Sequence, residues 1–310
     1  MSVSGARRRR LPAGGAANVV AREPDTLGPD GVTQPFPHHS CPRPMRPSII
    51  IALCVVITAC ASLRPRPGVG DMVTIPAGTY EAGTDSAELP ALLRRYGTTH
   101  TELFASEIPR RTVTVRAFRL DRTEVTKAAY REFLRAEPRW RRERLPASAH
   151  DGEYLEGWTG VEPPGDPMEP VASITQEAAA AYCSWAGRRL PTEAEWEWAA
   201  RGGLAGPEYP WGDAEPDSAR ANWHGAHVGR PVRVARYAPN GYGLHDMAGN
   251  VWERLADRWP GDTATGAQAR WVIRGGSYGG SPVNLRVRYR DSHRAGDAGD
   301  HVGFRCAKGG

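Results

Sequence analysis

The sequence predicts an α+β domain over residues 71–310, rich in loops and poor in regular structure. Three observations carry this reading. Two short stretches near its start alternate apolar and polar residues, as strands do. Three later stretches show helical periodicity between capping residues. The run from Asn240 to Glu253 shows neither period and is bent by glycines.

The elements follow in order. Between Asp71 and Thr84, Val73, Ile75 and Tyr80 alternate around Pro76-Ala77-Gly78, which predicts a hairpin. Glu88 to Leu103 is irregular and reads as a variable loop. From Glu107 to Leu120, Val113, Val115 and Phe118 mark a second strand region. Thr126 is placed to cap a helix that presents Tyr130, Phe133 and Leu134 on one face and stops before Pro138. Residues 137–168 are rich in proline and glycine and read as a long loop. Its basic cluster (Arg139, Arg141, Arg142, Arg144) suits a solvated face. Thr175 opens a helix with Ala178, Tyr182 and Trp185 in one stripe and Gly187 just past its end. Thr192 and Glu195 form a capping box for another, closed by Gly202-Gly203. Trp185, Trp196 and Trp198 are expected in the core.

The N-terminal part reads differently. Residues 1–44 carry no periodic apolar pattern and are expected to be disordered, or a mis-assigned extension preceding a true start at Met45. Residues 45–60 run Met-Arg-Pro-Ser, a short apolar stretch, then Ile57-Thr-Ala-Cys60. The stretch is too short for a spanning helix of about 20 residues and has the layout of a signal peptide. Ile-Thr-Ala-Cys resembles the bacterial lipobox, which implies lipidation of Cys60 and residence in the cell envelope, periplasm or outer membrane. Residues 61–70 then form a short tether.

Charge and cysteine usage narrow the classes. The formal charge is +5, but residues 1–59 hold seven arginines against three acids, so the part that follows is almost neutral. Nucleic-acid binding therefore has no electrostatic support. Of five cysteines, at 41, 54, 60, 183 and 306, only Cys183 and Cys306 lie in the domain. They are either one disulfide or two buried thiols.

Asn240-Gly-Tyr-Gly-Leu-His-Asp-Met-Ala-Gly-Asn-Val-Trp-Glu253 supplies two hard oxygen side chains, Asp246 and Glu253, on a bent backbone. That composition suits an oxygen-ligated cation or a rigid turn with capping acids. The same stretch resembles the signature N-G-[FY]-G-L-x-[DN]-M-x-G-N-[VA]-W-E-W of the formylglycine-generating enzyme, or sulfatase-modifying factor, family. Trp185-Ala-Gly-Arg-Arg-Leu-Pro-Thr-Glu-Ala-Glu-Trp-Glu-Trp198 and Arg274-Gly-Gly-Ser277 are similar to further family segments. The resemblance spans nearly all of residues 71–310. It implies the C-type-lectin-like fold, with few short helices and small antiparallel sheets.

It also implies a ligand inventory. Cys183 and Cys306 match positions that are paired in family enzymes. A structural calcium would lie on Asp246, the carbonyls of Gly249 and Val251, and Glu253. A second would use Asn222 and the carbonyl of Trp223, but His224 to Arg230 lacks the acid that should complete it. Active members hold copper(I) on two cysteines beyond the Gly-Gly-Ser segment. Those positions are Gly280 and Leu285 (or Arg286) here, so copper and formylglycine formation are not expected. Ser277 and Arg294 persist, and His301 stands where the family has asparagine. The resulting expectation is a non-catalytic envelope lipoprotein that binds a peptide, protein or glycan. The alternative is an enzyme of altered chemistry using Ser277, His293, Arg294 or His301.

Overall fold

The computed structural model describes residues 69–310. The predicted extension, signal peptide, Cys60 and most of the tether lie outside the described residues. Among those described, no helix is long and apolar enough to cross a membrane.

The chain opens with β1 (Met72–Ile75) and β2 (Gly78–Ala82), followed by α1 (Leu89–Arg95) and the one-turn α2 (Glu102–Ala105). Then come β3 (Arg111–Val115), β4 (Phe118–Asp121) and α3 (Lys127–Ala136). After a long loop follow α4 (Gln176–Trp185) and α5 (Glu193–Ala200). A second irregular stretch leads to β5 (Trp252–Arg258), β6 (Arg270–Arg274), β7 (Asp291–Arg294), β8 (Val302–Gly303) and β9 (Ala307–Gly309).

Three small sheets result, in the orders β1-β4-β9, β2-β3 and β7-β6-β5-β8. All pairings are antiparallel except β5 with β8. The expected hairpin over 71–84 is not formed. Both strands exist, but β1 pairs with β4 and β2 with β3. Between the two strands the indole of Trp198 donates to the Pro76 carbonyl and lies over Gly78, where a Cβ would come within 2.3 Å of its ring. The stretch from Glu88 to Leu103, read as a loop, contains α1. Asp85 and Glu88 form a capping box just ahead of it, and Pro90 sits in its first turn, where no amide is needed.

The helix caps follow from local chemistry. The hydroxyls of Thr126, Thr175 and Thr192 accept from the amides of Ala129, Ala178 and Glu195, and the Glu195 carboxylate returns to the Thr192 amide. The inner faces of α3 and α4 meet in one core, where Tyr130, Phe133 and Tyr182 pack with Phe304. The Cys183–Cys306 disulfide lies in the same core. Trp196 of α5 is buried in a second core with Ile75, Leu120, Leu255 and Val272. Trp185 and Trp198 are only half-buried.

Large charged side chains fill what apolar residues do not. Arg254, Arg274, Arg286 and Arg305 are among the largest fully buried groups. Arg274 bonds Glu193 and Glu197, and Arg286 bonds Glu107 and Glu208. Arg254 faces carbonyls and the ring of His293 in place of a carboxylate. Burial lowers its pKa to about 10.

Candidate functional site

The site forms where the segment from Asp246 to Glu253 lies beside the turn that follows β6. The Gly249 amide donates to the Gly275 carbonyl at 2.8 Å, and the Tyr278 amide to the Asn250 carbonyl at 2.9 Å. Asp246 and Asn250 both adopt left-handed backbone, with φ of 56° and 63°. Such angles are uncommon outside glycine and mark a conformation imposed by its surroundings. Gly249 is also left-handed, and a Cβ there would lie 2.3 Å from the Asn222 carbonyl oxygen. Only glycine lets these two segments touch.

Asn250 ties the region together. Its Oδ1 accepts from the Val232 amide (2.9 Å) and from Asn222 Nδ2 (3.2 Å), and its Nδ2 donates to Glu124 Oε1 (3.0 Å). Around this hub three acceptor oxygens are buried and have no protein partner: Asp246 Oδ1, Asn222 Oδ1 and Glu124 Oε2. The other Asp246 oxygen accepts from the Ala235 amide. Burial, and next the charge of Asp246, push the Glu124 carboxyl well above its usual range; burial also raises Asp246. Unpartnered buried acceptors of this kind are costly unless something supplies positive charge. Their chemistry is that of a hard, oxygen-seeking cation. No group of three or more His, Cys, Asp or Glu side chains is preformed for a metal among the described residues. A cation here would therefore draw on Asn222 and main-chain carbonyls as well.

The four positions expected to hold calcium are in one loop but in unlike states. Asp246 offers a free oxygen. Glu253 already accepts from Arg305 Nε and Nη2 and from Trp196 Nε1, each at 2.8 Å. Glu124, which the sequence did not single out, reaches this region from the end of β4. At the second expected site, Asn222 Nδ2 donates to the Arg230 carbonyl, and the Trp223 carbonyl accepts from Ala226 in a tight turn.

The residues of the expected cleft are only partly brought together. Ser277 and Gly280 share one turn, closed by the Gly280 amide on the Ser277 carbonyl. Leu285 is fully buried with Tyr209 and Ala248, against Trp211 and Trp223. Arg286 is committed to its two glutamates. His301 stands beside Trp252, whose amide donates to its carbonyl, and its ring lies 6.0 Å from that of His293. Asp300 accepts from the Tyr278 hydroxyl and pairs with His301 Nδ1. Burial, Arg254 and His301 together lower His293 to about 4, so it is neutral at pH 7. Arg294 is exposed on β7, its carbonyl held by Arg254. The copper(I) pair does not fit this arrangement. A methylene-free turn and a packed leucine occupy its positions, and both described cysteines are in the disulfide.

A shaped-loop α+β domain with this signature loop defines a sulfatase-modifying-factor type of protein. The model of the sulfatase-modifying factor enzyme 1-like domain matches residues 59–309, and the chain belongs to that family. It is 33% identical over 287 residues to the inactive C-alpha-formylglycine-generating enzyme 2 of Bos taurus, covering 77% of this chain and 88% of that protein. It is 34% identical over 299 residues to the formylglycine-generating enzyme of Streptomyces coelicolor, covering 79% and 90%. Among solved structures, PvdO from Pseudomonas aeruginosa superposes with a TM-score of 0.61 at 26% identity, covering 79% of this chain and 97% of that one. Its relatives thus include a protein named as a formylglycine-generating enzyme and one named as inactive.

Proposed function

We propose that this chain is a non-catalytic binding module of the family, carried on the bacterial cell envelope by a lipid at Cys60. It would present its loop-built surface to a peptide, protein or glycan partner. One observation carries this reading: Gly280 and buried Leu285 stand where the copper thiolates would be, with Leu285 packed among aromatic rings. A site with no thiolates has no soft ligands for copper(I). Calcium is proposed as a structural ion on Asp246, with the carbonyls of Gly249 and Val251, and Glu253 beside it. The orphaned oxygens of Glu124 and Asn222 support a cation in this region. Bound there, calcium would neutralise buried carboxylates and fix the loop.

The second reading is an enzyme of altered chemistry at the same place. It is favoured by the grouping of His293, His301, Asp300 and Tyr278 next to the Ser277 turn. One assay separates the two. A protein spanning residues 61–310 is given copper(I), oxygen and a peptide carrying Cys-x-Pro-x-Arg, and aldehyde is sought by mass spectrometry. The expected result is unchanged peptide and no tightly bound transition metal in the purified protein. Aldehyde above a protein-free control would overturn the binding-module reading.

A further inference from the structure

We infer that the face around Val69 and Gly70 seats on an anionic lipid headgroup layer. This rests on the reading of residues 61–70 as a tether to a lipid-bearing Cys60. Three observations meet on that face. The first is where the chain emerges: Val69 and Gly70 line a depression of about 500 Å³ together with Arg122, Met168 and Val234. Cys60 is nine residues before Val69 and can be at most about 30 Å away along an extended chain. The described chain starts on this face, so the proposed tether leaves the domain from it.

The second is charge. A neighbouring depression of about 590 Å³ is lined by Lys127, Arg230, Arg233 and Arg236, with Asp166 and Glu169. The two depressions are neighbours along the chain: Met168 and Val234 line the first, and Glu169 and Arg233, next to them in sequence, line the second. Lys127 and Arg230 share the single carboxylate of Glu169, and Arg233 pairs with Asp166. Arg122 donates to the carbonyl of Gly243, and Arg236 lies by the Tyr237 ring. Arg122, Arg230, Arg233 and Arg236 are all exposed, while Glu169 is buried beneath them. Against these four exposed arginines stand exposed Asp71 and half-buried Asp166, while Asp121 and Glu124 are buried, so the outward charge of the face is positive in a domain that is nearly neutral as a whole.

The third is apolar. Only Met168 and Leu204 are exposed large hydrophobic residues among those described, and Met168 sits on this face. An unbranched thioether sharing its depression with Arg122 is suited to the boundary between headgroups and acyl chains. A basic patch adds its own attraction for anionic headgroups and so sets which face of an anchored domain lies against them.

The test uses a protein spanning residues 61–310, without lipid. Every described core residue lies between Ile75 and Ala307, and the disulfide is within that range, so this part carries its own fold. It is sedimented with vesicles of phosphatidylglycerol and phosphatidylcholine, and with phosphatidylcholine alone. Binding is expected only to the former and is expected to fall with added salt. Each neutralised arginine should weaken it about fivefold, so R230Q/R233Q/R236Q should lose about a hundredfold. M168S should weaken it further, whereas R139Q/R144Q, exposed arginines that line neither depression, should not. Equal binding to both vesicles, or an equal loss in R139Q/R144Q, would overturn the inference. Full competition by soluble polyglutamate with no effect of M168S would replace the lipid layer by an acidic polymer. Lipidation of Cys60 is read separately, by incorporation of a labelled fatty acid in cells. Failure of the anchor and failure of the basic face are thus told apart.

Discussion

Arg305 and Glu253 form a bidentate pair sealed inside the domain, with side chains 0% and 1% exposed. The arginine also donates to the carbonyls of Asp121, Arg122 and His245, so it fastens the end of β4 to the signature loop. Removing one member leaves a buried charge without its partner. Glu253→Gln is expected to lower stability by about 3–5 kcal/mol, read as a shift of the urea midpoint.

Calcium should act through the oxygens that the protein leaves unpaired. Chelation is expected to lower the melting temperature; at a hundredfold excess over its dissociation constant the ion would contribute about 2.7 kcal/mol. Glu124→Gln separates the ion from the fold. It removes a carboxyl raised by burial and by Asp246, so the metal-free protein should become more stable while its response to calcium shrinks. Scanning calorimetry with and without calcium reads both effects.

Leu285 tests whether the former copper position now serves packing. It is fully buried against Tyr209 and Ala248. Leu285→Ala should cost about 2–5 kcal/mol in denaturant unfolding, the range for a leucine cavity that cannot collapse. A loss below about 1 kcal/mol would mean that the site is open to solvent.

His293 gives the domain a pH dependence of definite sign. Its pKa falls from 6.5 to about 4 on folding, first through burial and then through Arg254 and His301. Between those values the unfolded chain binds the proton and the folded one does not. Stability from this group is therefore present above pH 6.5 and lost as pH falls toward 4. His293→Gln should flatten the urea midpoint between pH 4.5 and pH 7 relative to the parent protein.

The sequence displayed whatever depends on neighbours along the chain. Thr126, Thr175 and Thr192 are legible as caps because each bond closes within three residues. The run from Asn240 to Glu253 is legible because its glycines and acids fall within one short stretch. What depends on distant partners was hidden. The hairpin expected around Pro76 dissolves into two sheets, since alternation names a strand but not its partner. Glu124 opens a stretch, Glu-Val-Thr-Lys127, that resembles a family segment, but nothing in it assigns the carboxylate a role. Its role appears only when Asn250, 126 residues later, donates to it. The burial of Arg274, Arg286 and Arg305 was equally hidden, because an arginine in the sequence does not show which glutamate awaits it.

One pairing bears on how the molecule is made. β4 lies between β1, from the beginning of the domain, and β9, from its last residues. The disulfide likewise joins α4 to Cys306, 123 residues further on. Neither the sheet nor the covalent link can be finished before the segment from Cys306 to Gly309 has left the ribosome. Until then β4 has β1 for a partner and no strand on its other side. A nonsense codon just ahead of Cys306 would deprive the opening strand's sheet of an edge and Cys183 of its mate.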